Sequence, residues 1–552
     1  MKSGPDPDPA MGVQPDLGTD PVVGTEPLVG TEPVVGVEPL VGTEPVVGVE
    51  PVVGVEPGVG VEPVVGVGPL SGGEQPVVRT EYGRVRGRIE RGVAVFRGVP
   101  YAAAPVGPYR FRPPAAPAPW DGVRDASAFG PTAPKPPYAP PLDRLLPDPS
   151  VPGDDCLNLN VWTPDPGGAG LPVMVWIHGG SLRNGSSAVP TYDGAAFARD
   201  GVVLVSLNYR LGIEGFGVFP DAPANLGLRD QLAALAWVRR NVAAFGGDPE
   251  LVTVFGESAG AFSVAGILAS PLSAGLLRRA VLQSGVPSAV TPARGRRTTR
   301  RIARRLRVPA TAAALAGVDR DRLLRAQRQV TAGGPLGGGA SFDLVVDGEV
   351  LPRDPAAALA AGQGAEIGLL MGTTSEEYRL WFIPSGALDR IGPVTLRLAM
   401  ARFGVRGRTA AVYRANRPDA SPGELLGALA TDRLLRIPLT RLADARRNAP
   451  AATYFYEFAW PSPVQRLGAC HALEIGFVFD TLRELATRSL TGTGAPQSLA
   501  DTMHADWVRF AATGDPGWPA WDASRPVMTY GRGAPEVVHA PRDDERRAWD
   551  GP

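Results

Sequence analysis

Gly256-Glu257-Ser258-Ala259-Gly260 follows the strand-like run LVTVF and precedes the helix-forming AFSVAGILA. A serine on so tight a strand-to-helix turn projects its Oγ clear of the sheet, and glycine two residues to either side avoids the crowding the turn creates. The same turn aims the backbone N–H of Ala259, at the head of the following helix, toward a developing oxyanion. The chemistry that suits this arrangement is attack by Ser258 on a carbonyl carbon. In a chain with 69 glycines the five residues alone are a weak signal, and the flanking strand and helix give them weight.

A serine used this way needs a general base, further oxyanion donors and an acid that orients the base. Residues 177 to 182, IHGGSL, end the apolar run LPVMVWIH, where an oxyanion loop belongs. Gly180 and Ser181 are candidate N–H donors there, with Gly179 giving room to turn; one such donor is worth about 3 kcal/mol of transition-state stabilisation. A plain strand-end turn is the competing reading. Of the four histidines, His178 belongs to that loop, His504 sits in DTMHADWVRFAA, which reads as an amphipathic helix, and His539 follows EVV near the C-terminus in an exposed setting. His471, in LGACHALEIGFVF, is left as the base. Its position downstream of Ser258 places the acid between 258 and 471 at a strand end, giving the chain order serine, acid, histidine. GTTSEEY (372 to 378), after the apolar IGLLM, is the best candidate in that window. Glu376 and Glu377 would point to opposite faces of an extended segment, so only one of them serves a single partner. The competing reading makes both ordinary solvated charges.

The elements that must position these residues are short apolar runs alternating with helical patterns. Strands are expected at LPVMVWIH (171 to 178), GVVLVSLNY (201 to 209), LVTVF (251 to 255), RAVLQS (279 to 284) and IGLLMG (367 to 372). Between them, NLGLRDQLAALAWVRRNVAAF places Leu228, Leu232, Leu235 and Val242 on one helical face. Alternation of this kind implies a mostly parallel sheet flanked by helices, with reactive groups at the carboxyl ends of the strands.

The 552 residues are 44% hydrophobic and 20% charged, ordinary globular composition with length enough for a large core. No run of about 18 apolar residues occurs, and the first twenty residues lack a basic start followed by an apolar core; no membrane span or export signal is read, and a cytoplasmic location is expected. Residues 1 to 75 carry twelve acids and one base, and the remainder carries 54 bases and 44 acids. The basic stretch RGRRTTRRIARRLR reads as a helix with a solvated face rather than a nucleic-acid site, because Ile302 and Leu306 recur at helical spacing. Cys156 and Cys470 have no metal-ligand spacing. Residues 21 to 68 are eight copies of a six-residue repeat, PVVGTE and its variants, so 1–75 is expected to be a disordered tail and 76–552 the folded domain. A β-solenoid is the alternative for the repeat.

Several blocks together resemble the type-B carboxylesterase and cholinesterase family of α/β-hydrolases, over about residues 76 to 548. FGGDPELVTVFGESAG is similar to the family's serine signature and DDCLNLNVW to its second signature; FRGVPYAAAPVGPYRFRPP, NYRLG and ANLGLRDQLAALAWVRRNVAAFGGDP are similar to further blocks. The resemblance implies Ser258 as nucleophile, His471 as base and then acid, and, as the second acid of the family's Gly-Thr-x-x-acid-Glu-Gly pattern, Glu377. It implies an acidic gorge residue at Glu257, buried ion pairs Arg110–Asp154 and Arg210–Asp230, and no metal or cofactor. Three positions depart from the pattern: Tyr378 replaces a glycine, Leu182 replaces an aromatic beside the oxyanion loop, and Cys156 lacks the upstream cysteine of secreted relatives. Phe477, Trp381 and Phe382 are candidate pocket aromatics. The expected function is hydrolysis of small to medium apolar esters through an acyl-enzyme. An amidase or carbamate hydrolase with the same triad, or a non-catalytic binding protein on the same fold, are the alternatives.

Overall fold

The computed structural model describes residues 75–332 and 340–550. The repeat segment, expected to be a disordered tail, lies outside the described residues.

The alternating runs become an eleven-stranded sheet. From one edge its strands are Glu536–His539, Pro526–Tyr530, Thr453–Phe458, Gly368–Thr374, Arg279–Gln283, Gly247–Glu257, Leu171–Ile177, Val203–Leu207, Asn158–Thr163, Val93–Pro100 and Arg88–Glu90. The seven strands from Pro526–Tyr530 to Val203–Leu207 pair in parallel, and the edges are antiparallel. A separate three-stranded sheet holds Val77–Thr80, Gly83–Arg86 and Val123–Asp125. Arg279–Gln283 and Thr453–Phe458 are buried at every residue, as strands covered on both faces must be. Leu171–Ile177 shows how one strand feeds two cores: Val173, Val175 and Ile177 join one apolar cluster, while Met174 and Trp176 join the other.

Leu226–Asn241 forms the expected helix and buries Leu228, Leu232 and Leu235. The arginine-rich stretch is a helix too, Pro292–Leu306, with Ile302 and Leu306 buried and its basic side chains outward. Arg210 and Asp230 make the expected buried ion pair, Nη2 to Oδ1 at 2.6 Å. Arg110 does not pair with Asp154: its guanidinium reaches Glu214 at 2.7 Å, and Asp154 is held by Arg320 at 2.6 Å. The partner is settled by which element packs against Arg110, here the short helix Gly212–Phe216, and nothing local to Arg110 encodes it. Cys156 and Cys470 are both buried and free.

Parallel register brings the chemistry together. Ile177 lies opposite Gly256, Glu257 opposite Gln283, and Gln283 opposite Gly372, so the carboxyl ends of four strands converge. Sites in open parallel sheets form at this edge.

Candidate active site

Ser258 stands between Gly247–Glu257 and the helix Ala259–Ala269 with φ 54° and ψ −123°, backbone that an L-residue adopts only when its surroundings impose it. Its N–H donates to Gln283 O at 2.9 Å and its carbonyl accepts from Phe262 N at 2.9 Å, which locks the turn. A Cβ at Gly260 would fall 2.0 Å from Ile177 O, and one at Gly256 would fall 2.7 Å from both Ile177 O and Gly260 C. Only glycine fits at either position.

Ser258, Glu257, Gly179, Gly180, Ser181, His471 and Trp381 line one cavity of about 120 Å³. Gly180 has φ 115°, and its carbonyl takes the N–H groups of Arg183 and Asn184 at 3.1 and 2.9 Å, so the loop coils back on itself. His178 supports the loop from behind. Its Nδ1–H donates to Gly179 O at 2.8 Å, its ring stacks on Tyr209 at 4.5 Å, and Tyr209 OH donates to its carbonyl at 2.8 Å. Burial pushes its pKa down to about 3, so the imidazole is neutral. With Gly179 C=O held there, the Gly180 N–H, trans to it across the same peptide plane, points the opposite way.

His471 sits between two carboxylates. Its Nδ1–H donates to Glu377 Oε2 at 2.6 Å, and its Nε2 lies 2.9 Å from Glu257 Oε1. The second contact is ionic rather than a hydrogen bond, since neither atom is aligned on the other. Burial acts to lower the imidazole pKa, but Glu257 and Glu377 outweigh it and hold the ring well above its ordinary value. Burial in turn raises the carboxyl of Glu257, against the pull of His471. Glu377 is fully buried and accepts Thr374 N–H at 2.9 Å through its other oxygen.

The adjacent acids therefore differ. Glu376 faces out, ion-pairs with Arg379 at 2.6 Å and accepts Ala469 N–H at 3.0 Å, tying down the loop that carries His471. Tyr378, in place of glycine, has φ −73° and ψ −7°, backbone open to any residue, and packs on Trp381 and Phe382.

Not every expected residue reaches the cavity. Phe477 is fully buried against Phe458 and Trp460, because on the one-turn helix Ile475–Val478 it is Ile475 and Gly476 that face the cavity. Leu182 is buried in the core, its carbonyl accepting Gly212 N–H at 2.7 Å, and does not line the cavity. Phe382 joins a separate apolar cluster, whereas Trp381 does line the cavity, its ring centroid 4.9 Å from that of His471. Ala259 is buried at the head of its helix. His504 is structural, bonded to Val478 O at 2.7 Å, and His539 is exposed.

Two features escaped the sequence. Glu474, fully buried, accepts from Gln283 Nε2 at 3.3 Å, and its pKa is pushed up to about 8 by burial and then by Glu257 and Glu377. Its spacing three residues after His471 was a readable signal, since residues that far apart share a face of a helical turn. Lys135 is buried and ion-paired with Asp148; its Nζ also donates to Pro149 O and Gly185 O at 2.9 Å each, while Asp148 accepts Gly185 N–H at 3.2 Å. The pair thus grips both sides of Gly185, which packs directly on Gly179 O and His178. Only the fold shows it.

A mostly parallel sheet with a serine on a strand-to-helix elbow at its carboxyl edge defines an α/β-hydrolase. The sequence profile of the carboxylesterase family matches residues 74–532. Para-nitrobenzyl esterase from Bacillus subtilis (strain 168) is 38% identical over 464 residues, 81% of this chain and 92% of the relative. Phenmedipham hydrolase from Pseudarthrobacter oxydans is 36% identical over 491 residues, 84% of this chain and 97% of the relative. The solved carboxylesterase of Geobacillus stearothermophilus superposes with TM-score 0.77 at 38% identity, covering 86% of this chain and 99% of that one. The chain belongs to the carboxylesterase family and is a carboxylic-ester hydrolase. No described helix is long and apolar enough to cross a membrane.

Proposed function

We propose that the chain hydrolyses small to medium esters through an acyl-enzyme on Ser258, with His471 as general base and Glu377 as its orienting acid. The observation that carries this reading is the 2.6 Å bond from the buried Glu377 to His471, which lines the same cavity as Ser258. Ser258 Oγ attacks the ester carbonyl and gives its proton to His471 Nε2. The N–H groups of Gly180, Ser181 and Ala259 take the oxyanion, each worth about 3 kcal/mol. The imidazolium, stabilised by Glu377, then protonates the leaving alkoxide, and water attacks the acyl-enzyme by the same path in reverse.

Glu257 gives the resting state its character. Its carboxylate beside Nε2 favours the protonated imidazole, which cannot accept the serine proton. Substrate entry must loosen that contact, in keeping with catalytic hydrogen bonds that tighten only in the Michaelis complex. No step calls for a metal or cofactor. A cytoplasmic site of action and a 1–75 tail set apart from a 76–552 catalytic domain belong to the same proposal; an amidase or carbamate hydrolase with the same triad is the alternative.

Release of nitrophenolate from a short-chain nitrophenyl ester tests it. Wild type should turn over and Ser258→Ala should not; equal inertness of both would favour a non-catalytic protein on this fold.

A further inference from the structure

The charged side chains lining the catalytic cavity are Glu257, His471 and Arg183. The first two face each other at 2.9 Å, with Glu377 on the far side of the imidazole. Arg183 is different. It lies three residues past Gly180 on the oxyanion loop, and among the described residues its guanidinium makes one hydrogen bond, Nη1 to Thr331 O at 3.1 Å. Among the described residues it has no carboxylate partner, whereas Arg210, Arg110 and Arg436, also drawn into the interior, each hold one at 2.5 to 2.7 Å. Arg279 and Arg446 lack one as well, but they bond backbone carbonyls away from the cavity. Segment 333–339, just after Thr331, contains only Gly, Pro and Leu and so supplies no acid. Burial lowers the guanidinium pKa, the response of a cation short of compensation.

A guanidinium has five N–H donors in a planar fork, and four of these have no partner among the described residues. The fork matches a carboxylate. Tyr138, whose phenol burial keeps protonated, lines the same cavity and offers another donor. The rest of the lining is largely apolar, with Leu145, Leu146, Leu380 and Leu490 among it, so a charge paired with Arg183 sits in poorly screening surroundings.

We propose that Arg183 forms a carboxylate subsite of the catalytic cavity, so that the enzyme prefers esters bearing a second, ionised carboxyl group, such as half-esters of short dicarboxylic acids. The proposal rests on the ester-hydrolase reading for its turnover but not for its binding. The acyl or alcohol body lies against the leucines, and the free carboxylate takes the open guanidinium N–H groups. Glu257 opposes a second carboxylate, but burial raises its pKa and so favours its uncharged form.

Monoethyl glutarate and ethyl pentanoate have acyl chains of equal length and differ by the carboxylate. In a pH-stat, kcat/KM for the half-ester should exceed that for the neutral ester by about ten- to a hundredfold, the effect of one charge-assisted hydrogen-bonded pair. Arg183→Gln should bring the ratio to about one, mainly through KM, and Arg183→Lys should keep part of it. Calorimetric binding of monoethyl glutarate to Ser258→Ala, lost in Ser258→Ala/Arg183→Gln, reads the subsite without turnover. A wild-type ratio near one, or a ratio and binding that survive Arg183→Gln, overturns the proposal. Arg183-dependent binding with no turnover of either ester would keep the subsite and overturn the ester-hydrolase mechanism instead.

Discussion

Glu377→Gln separates the two adjacent acids. The carboxylate accepts His471 Nδ1–H at 2.6 Å and Thr374 N–H at 2.9 Å, and it is fully buried. Glutamine has the same size, and its amide oxygen can keep the Thr374 bond. Its NH2 then faces Nδ1 and favours the tautomer with the proton on Nε2, which cannot accept from Ser258. The loss for an amide at this place in a triad is about 10⁴-fold in kcat, or about 5 kcal/mol of barrier. Glu376→Gln removes an ion pair with Arg379 that is 37% exposed on the acid's side, an interaction worth about 1 kcal/mol or less. The glutamine can still accept Ala469 N–H, so kcat should stay within about threefold. Both variants should be compared with wild type on a nitrophenyl butyrate, with melting curves run beside them. Equal losses of kcat in the two, or a larger loss in Glu376→Gln with an unchanged melting temperature, would refute the assignment.

Three further outcomes are expected. Glu257→Gln removes one of the two charges that hold the His471 pKa up, so the acidic limb of the kcat/KM profile should move to lower pH; a limb that stays in place would show that Glu257 does not act on the imidazole. Glu474 is protonated in the folded protein up to about pH 8 and ionised in the unfolded chain above about 4.5, so its contribution to stability is full below the lower value and lost as pH rises through the upper one. Glu474→Gln, which mimics the acid form, should therefore raise the melting temperature more at pH 9 than at pH 5, and an equal shift at both would contradict the burial argument. Lys135→Met strands the buried Asp148 and should cost about 3 to 5 kcal/mol in urea unfolding, much of it restored in Lys135→Met/Asp148→Leu; a neutral single variant would mean that the pair does not hold the loop.

What could be read in advance follows the range of the interaction. Ser258 was legible because its turn is local: strand, elbow and helix are contiguous, although the steric need for Gly256 and Gly260 comes in large part from Ile177 on the neighbouring strand. The strands were legible from apolar runs that must be buried on both faces. Glu376 and Glu377 were equivalent by residue type, and the family pattern together with alternation along the segment chose between them. Phe477 failed because a one-turn helix changes direction by about 100° per residue, and composition does not say which residue faces inward. Arg110 failed because its partner comes from the short helix Gly212–Phe216, 104 residues away. Lys135 and Arg183 were invisible for the same reason: each matters through what surrounds it, buried compensation for the first and the want of it for the second.

The central claim is that Ser258 is the nucleophile and is activated through His471. A fluorophosphonate reagent followed by peptide mass spectrometry tests it most directly. The account predicts stoichiometric phosphonylation on the peptide containing Ser258, and labelling slowed by orders of magnitude in His471→Ala. Labelling at another serine, or an undiminished rate in His471→Ala, would contradict it.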